Sequence, residues 1–176
     1  MIDLYIEFRQ QGVIKGLDAA LDKAVKMAQK DAARKLKSAT AKYVSAQYWL
    51  TQSFVRKHIT ELPAGIKVSS KRLGLEKYKL SPMTPPKHRY VLTAAVKRSG
   101  GMKALTKRAF LWRYVKGLPF MRTAKDGWMY PVKRLVGPAV PQLVDNPGVV
   151  EHIQEEGTQT FNKRLRHYIS RIGGSQ

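Results

Sequence analysis

Chemistry at a protein site needs a nucleophile beside a base, paired carboxylates, or clustered metal ligands, and this sequence is poor in all three. Cysteine is absent, which excludes thiol nucleophiles, disulfides and cysteine-ligated metal sites. The histidines, His58, His88, His152 and His167, are scattered, and none stands in an H-E-x-x-H frame that would aim two ligands from one helix face. His152 with Glu155 and Glu156 has a spacing that binds a metal weakly, but an exposed contact on a solvated helix is the preferred reading. Between Glu76 and Asp126 there is no acid, while thirteen Lys and Arg fall in that interval. Gly100-Gly101 before Lys103 lacks the G-x-x-x-x-G-K-[ST] frame of a phosphate loop and reads as a hairpin turn. No catalytic, metal or cofactor set emerges, and a non-enzyme is expected.

The acid-free interval sets cations beside aromatics. Lys97, Arg98, Lys103, Lys107, Arg108, Arg113 and Lys116 accompany Phe110, Trp112 and Tyr114. Basic residues beside aromatics on a sheet can track a phosphate backbone and stack bases. Strict alternation offers another account: Phe110, Trp112 and Tyr114 share one face at period two, as a core face does, and leave the basic set in water. The expectation is attraction to a polyanion or an acidic partner, with base stacking the lesser option.

The whole chain carries this bias. Its 176 residues suit one domain, and Lys plus Arg outnumber Asp plus Glu by 33 to 12, for a formal net charge of +21. Such a field attracts polyanions and opposes packing against copies unless acidic groups offset it. A hydrophobic fraction of 43% argues against wholesale disorder. The N-terminal "MIDLYIEFRQ" has no basic segment leading into an apolar one, so it does not read as a signal peptide. No apolar run reaches the ~18 residues that span a bilayer, and a soluble cytosolic protein without a membrane partner is expected.

The elements that must position these residues follow from periodicity. "IDLYIEF" predicts a strand over residues 2–8. Leu17, Leu21, Ala24, Ala28, Ala32, Leu36, Ala39, Tyr43, Ala46 and Leu50 recur at helical spacing, with Lys23, Lys26, Lys30, Arg34 and Lys37 opposite. The alanine-rich stripe calls for a broad, flat neighbour, a sheet or another subunit. Thr51 or Ser53 caps a second helix ending before Pro63, so helices are expected over about 16–60. A sheet is expected over about 65–136, with a hairpin through Gly100-Gly101 at positive φ, a proline loop at 82–87 and a turn at Asp126-Gly127. Asn146 then caps, and Pro147 opens, a helix over about 148–172 with Val149, Ile153, Phe161, Leu165, Tyr168 and Ile172 on one face. The predicted class is α+β: a long N-terminal helix and a C-terminal helix on a central antiparallel sheet, in one domain.

Between sheet and last helix lies "RLVGPAVPQLVDNP". Its connector, residues 137–147, is too apolar for a plain loop, and its prolines argue against helix or central strand. It reads as a rigid corner that offers Val140 and Leu143 to a core or to a neighbouring subunit.

These segments in this order resemble the minor tail protein Z family of long-tailed phages and prophages. The resemblance covers nearly the whole chain. Its most specific part is P-[VI]-x-x-L-x-G-P-x-V-P-Q over residues 131–142, with Gly137, Pro138, Pro141 and Gln142 matching. The resemblance implies a structural virion protein, assembled in the host cytoplasm, that completes the head-proximal end of the tail and supports joining to the filled head. It also implies a homo-oligomer, with a hexameric ring expected from the sixfold symmetry of the tail. Gly137, Pro138, Val140, Pro141, Gln142 and Leu143 then become candidates for a subunit interface or a rigid corner. The basic set would meet the packaged DNA end, or acidic surfaces of tail-tube, terminator and head-connector proteins. The alternative is a free-standing basic module that binds nucleic acid through non-specific phosphate contacts.

Overall fold

A computed structural model describes residues 2–7, 19–115, 117–123 and 130–173. The fold is α+β, with two long helices and antiparallel sheets. The strands do not form one central sheet. They divide into three sheets of three strands each.

The first strand, β1 (Ile2–Glu7), leads to helix α1 (Ala19–Gln47). No glycine or proline interrupts α1, and Asp22 in its first turn complements the helix dipole. Its last turn carries no cation of its own. Arg98 supplies one from a distant loop: Nε donates to the carbonyls of Ser45 and Tyr48 (3.0 and 3.2 Å), and the Arg98 N–H donates to the Gln47 carbonyl (2.8 Å). Carbonyls that a helix end leaves unpaired are thus satisfied. Helix α2 (Gln52–Lys57) begins with the Thr51 hydroxyl accepting from the Phe54 N–H. It stops earlier than expected, because β2 (Ile59–Leu62) turns at Pro63 and Ala64 and pairs with β3 (Gly65–Ser70), which also carries β1.

The second sheet joins β4 (Lys79–Ser81), β5 (Thr93–Ala95) and β6 (Lys103–Ala104). The third joins β7 (Ala109–Trp112), β8 (Leu118–Arg122) and β9 (Val132–Arg134). The hairpin through Gly100-Gly101 is therefore short, and β7 pairs with β8 rather than back onto β5. Among the described glycines positive φ occurs at Gly117, between β7 and β8, and not at Gly100 or Gly101. The expected turn at Asp126-Gly127 lies outside the described residues, as does Leu17.

Helix α3 (Val140–Val144) occupies the connector predicted to be non-helical. Pro141 sits in its first turn, where a missing N–H costs nothing. Helix α4 (Pro147–Gly173) follows, with the Asn146 carbonyl accepting from Val149 and Val150 N–H.

Helices α1 and α4 run antiparallel: Tyr43 lies by His152, Leu36 by Gly157 and Asp31 by Tyr168. A Cβ at Gly157 would stand 2.9 Å from Leu36 Cδ2, so this glycine sets the close approach. Helix α1 also lies on β2 and β3, so two faces are buried. That moves the buried stripe beyond Leu36: Thr40, Ala41 and Val44 are fully enclosed, whereas Ala39 and Tyr43 are half-buried and Ala46 is exposed. Leu50 is buried but lies past the helix end. The core joins Leu36, Val44, Val55, Ile66, Val68, Leu92, Val140, Val144 and Ile153.

Candidate functional site

Residues 131–142 form the corner. The Leu75 N–H donates to the Leu135 carbonyl (3.2 Å) and the Gly137 N–H to the Leu73 carbonyl (2.7 Å). The chain then passes under the buried Tyr78 ring, whose hydroxyl donates to the Pro138 carbonyl (2.8 Å). A Cβ at Gly137 would fall 2.7 Å from Tyr78 Cε2, which is why glycine stands there. Next the Ala139 N–H donates to Gln142 Oε1 (2.9 Å) and the Val140 N–H to the buried Ser70 hydroxyl (3.0 Å). Burial, with Tyr48 nearby as a second cause, pushes the Tyr78 phenol well above its ordinary range. Glu76 and Arg134 form an ion pair across the same junction.

Of the six candidate corner residues, Val140, Pro141 and Leu143 are buried in the chain's own core, Gly137 and Pro138 are half-buried against Tyr78, and Gln142 is exposed. Val140 and Leu143 are thus core side chains rather than groups offered to a neighbour.

The basic set does not converge on one patch. Arg98 is committed to the end of α1, and its guanidinium lies 4.6 Å from the Trp49 ring centroid, with Lys79 Nζ at 4.5 Å from the same ring. Lys97 is exposed beside it, and Lys103 is exposed on β6. Lys107, Arg108 and Arg113 flank β7 and are exposed, while Lys116 lies outside the described residues.

The aromatics of β7 face the other way from the expected core. Ala109 and Leu111 are the buried pair, and Phe110 and Trp112 point outward, half-exposed. Phe110 lies opposite Phe120 on β8, and Trp112 meets Phe120 edge-on at 5.0 Å. Tyr130 joins them, 6.1 Å from Trp112, and Arg122 covers the Phe110 ring at 5.2 Å. After Trp112 a 3₁₀ turn over Arg113–Val115 ends the alternation, which leaves Tyr114 91% exposed. Alternation alone could not have chosen the buried face, since Ala109 and Leu111 are as apolar as the rings. Phe120, Tyr130, Trp49 and Lys79 were not singled out in the sequence, because their partners come from other segments.

Three of the four histidines make ring contacts, and His88 is exposed. His152 stacks on Tyr43 at 4.7 Å, His58 meets Phe54 edge-on at 4.9 Å, and His167 lies beside Tyr168. Glu156 pairs with Lys35 (3.3 Å), and Glu155 accepts from Gln159. Tyr43, His152, Lys35, Glu155, Glu156 and Gln159 line a groove of about 610 Å³ between α1 and α4. Among the described residues no group of three His, Asp or Glu could hold a metal ion, and no helix is long and apolar enough to cross a membrane.

No family model, curated protein or solved structure matches the chain.

Proposed function

We propose that this chain is a structural protein of a phage virion that completes the head-proximal end of the tail. In this reading it acts as a ring at the neck, assembles in the host cytoplasm, and supports head–tail joining and genome passage. The corner carries the reading. Residues 131–142 hold the chain's most specific family-like motif, and three of its members make defined contacts there. Gly137 admits the Tyr78 ring, the Pro138 carbonyl receives its hydroxyl, and Gln142 secures the start of α3. A segment that holds a third sheet, a buried tyrosine and α4 at set angles suits a part that must fit other parts. In a neck, the +21 charge would meet the packaged DNA end or acidic tail-tube, terminator and connector surfaces.

The exposed Lys107 and Arg113 beside β7 favour a second reading, a free-standing module that binds nucleic acid through non-specific phosphate contacts. Light scattering of nuclease-treated protein at low and high salt, with negative-stain images with and without tail tubes, separates the two. Closed rings, alone or on tail ends, are expected. A monomer that ignores tails yet binds any DNA, with affinity falling steeply in salt, would overturn the tail reading in favour of the second.

A further inference from the structure

The surface around β7 and β8 is unfinished. Tyr114 is 91% exposed, Met83 75% and Tyr130 59%, and Val115 adds a further apolar side chain. Met83 and the 113–117 turn are neighbours, since a Cβ at Gly117 would stand 3.6 Å from the Met83 carbonyl oxygen and from Pro85. Exposed side chains of this kind, with Tyr, Trp, Phe, Met and Arg among them, have the composition of a protein–protein interface core. It is a poor base-stacking platform. Met83 and Val115 offer no ring, Arg122 already covers Phe110, and Trp112 is set edge-on to Phe120.

Charge then selects the occupant. Lys107, Arg108 and Arg113 flank β7 and Arg122 covers Phe110, with no acid anywhere in residues 77–125, so two such faces repel each other. Residues 135–162 are the reverse: Asp145, Glu151, Glu155 and Glu156 stand there with no Lys or Arg. Glu156 is paired with Lys35. Asp145, Glu151 and Glu155 are exposed, and no ion pair engages them among the described residues. Glu151 and Glu155, one turn apart, face solvent together on α4.

We infer that the aromatic patch on β7–β8 docks head-to-tail on the outer face of the N-terminal half of α4 in a second copy of this chain. The contact is heterologous and closes into a ring when its rotation allows. The inference rests on the proposed ring and names the two faces that make it.

Complementary charge reversal tests it on the full-length protein. Lys107→Glu with Arg113→Glu sets two carboxylates beside β7, and Glu151→Lys with Glu155→Lys sets two ammonium groups on the helix face. All four positions are exposed, and circular dichroism is to check that each variant folds. Each variant alone should associate at least ~100-fold more weakly than wild type, because like charges then meet. An equimolar mixture should restore assembly, since both alternating contacts again pair opposite charges. Tyr114→Ser should also lose assembly without losing the fold. Rings that persist in both charge variants, or variants that lose assembly and are not restored by mixing, overturn the inference while leaving the ring reading in place. Wild-type chains that join tails as single copies overturn it and leave tail binding standing. A monomer whose Tyr114→Ser variant loses DNA binding instead overturns both.

Discussion

The helical layer and the third sheet use their side chains in opposite ways. Between α1 and α4 the residues are small and closely set, and their charges are paired: Lys35 with Glu156, and Arg164 with Asp31, which also accepts the Tyr168 hydroxyl. On β7 and β8 the rings are large, lie at the surface, and have arginines rather than acids around them. The first region pairs these charges within the chain. The second leaves apolar area and charge at the surface. Residues 131–142 join the third sheet to α3.

Substitutions sharpen this contrast in order of expected size. Ile153→Ala on α4 removes a fully buried side chain from the helical layer and should cost about 2–5 kcal/mol, read from urea unfolding. Gly137→Ala drives a methyl against the buried, hydrogen-bonded Tyr78 ring and should cost about 1–3 kcal/mol in the same assay. If it proves neutral, the corner is softer than described.

Tyr78→Phe removes the bond to Pro138 and should cost about 1 kcal/mol at neutral pH. Its pH dependence is more diagnostic. The folded phenol binds its proton more tightly than the unfolded one, so the contribution is complete below the ordinary value of 10.0 and is lost as pH rises beyond it. Stability measured from pH 8 to 11 should fall more steeply for wild type than for Tyr78→Phe. Equal slopes would deny Tyr78 that role.

Thr40→Val should act in the opposite direction. The Thr40 hydroxyl is buried in α1 without a partner, and its removal should stabilise by up to about 1 kcal/mol, read as a higher urea midpoint. Smallest of all, Tyr114→Ser should change folding stability by less than about 0.5 kcal/mol, because almost the whole side chain is already in water. A large loss there would mean that the third sheet is as finished as the helices.

Much of the framework was legible in sequence because it depends on local periodicity. The alanine stripe predicts α1, and the Asn146-Pro147 pair marks the start of α4. Where two faces of an element are apolar, periodicity ceases to discriminate. Thr40, Ala41 and Val44 replaced the expected Ala39, Tyr43 and Ala46 because α1 is covered by both a helix and a sheet. The outward turn of Phe110 and Trp112 has the same origin, since Ala109 and Leu111 supplied an equally apolar alternative. Arg98, read as a polyanion contact, became the cap of a helix that ends 51 residues earlier, at Gln47. No local rule reaches across that separation.

By itself, then, the order of residues determined the α+β class, the long helices, and the basic field with its acid-free interval. These properties need only composition, spacing and backbone chemistry. Tertiary structure alone decided that Val140 and Leu143 close the chain's own core, that Tyr78 pins the corner, and that the rings of β7 face outward. Each of those outcomes depends on which distant segment arrives to cover a surface, and burial is a property of the pair rather than of either sequence.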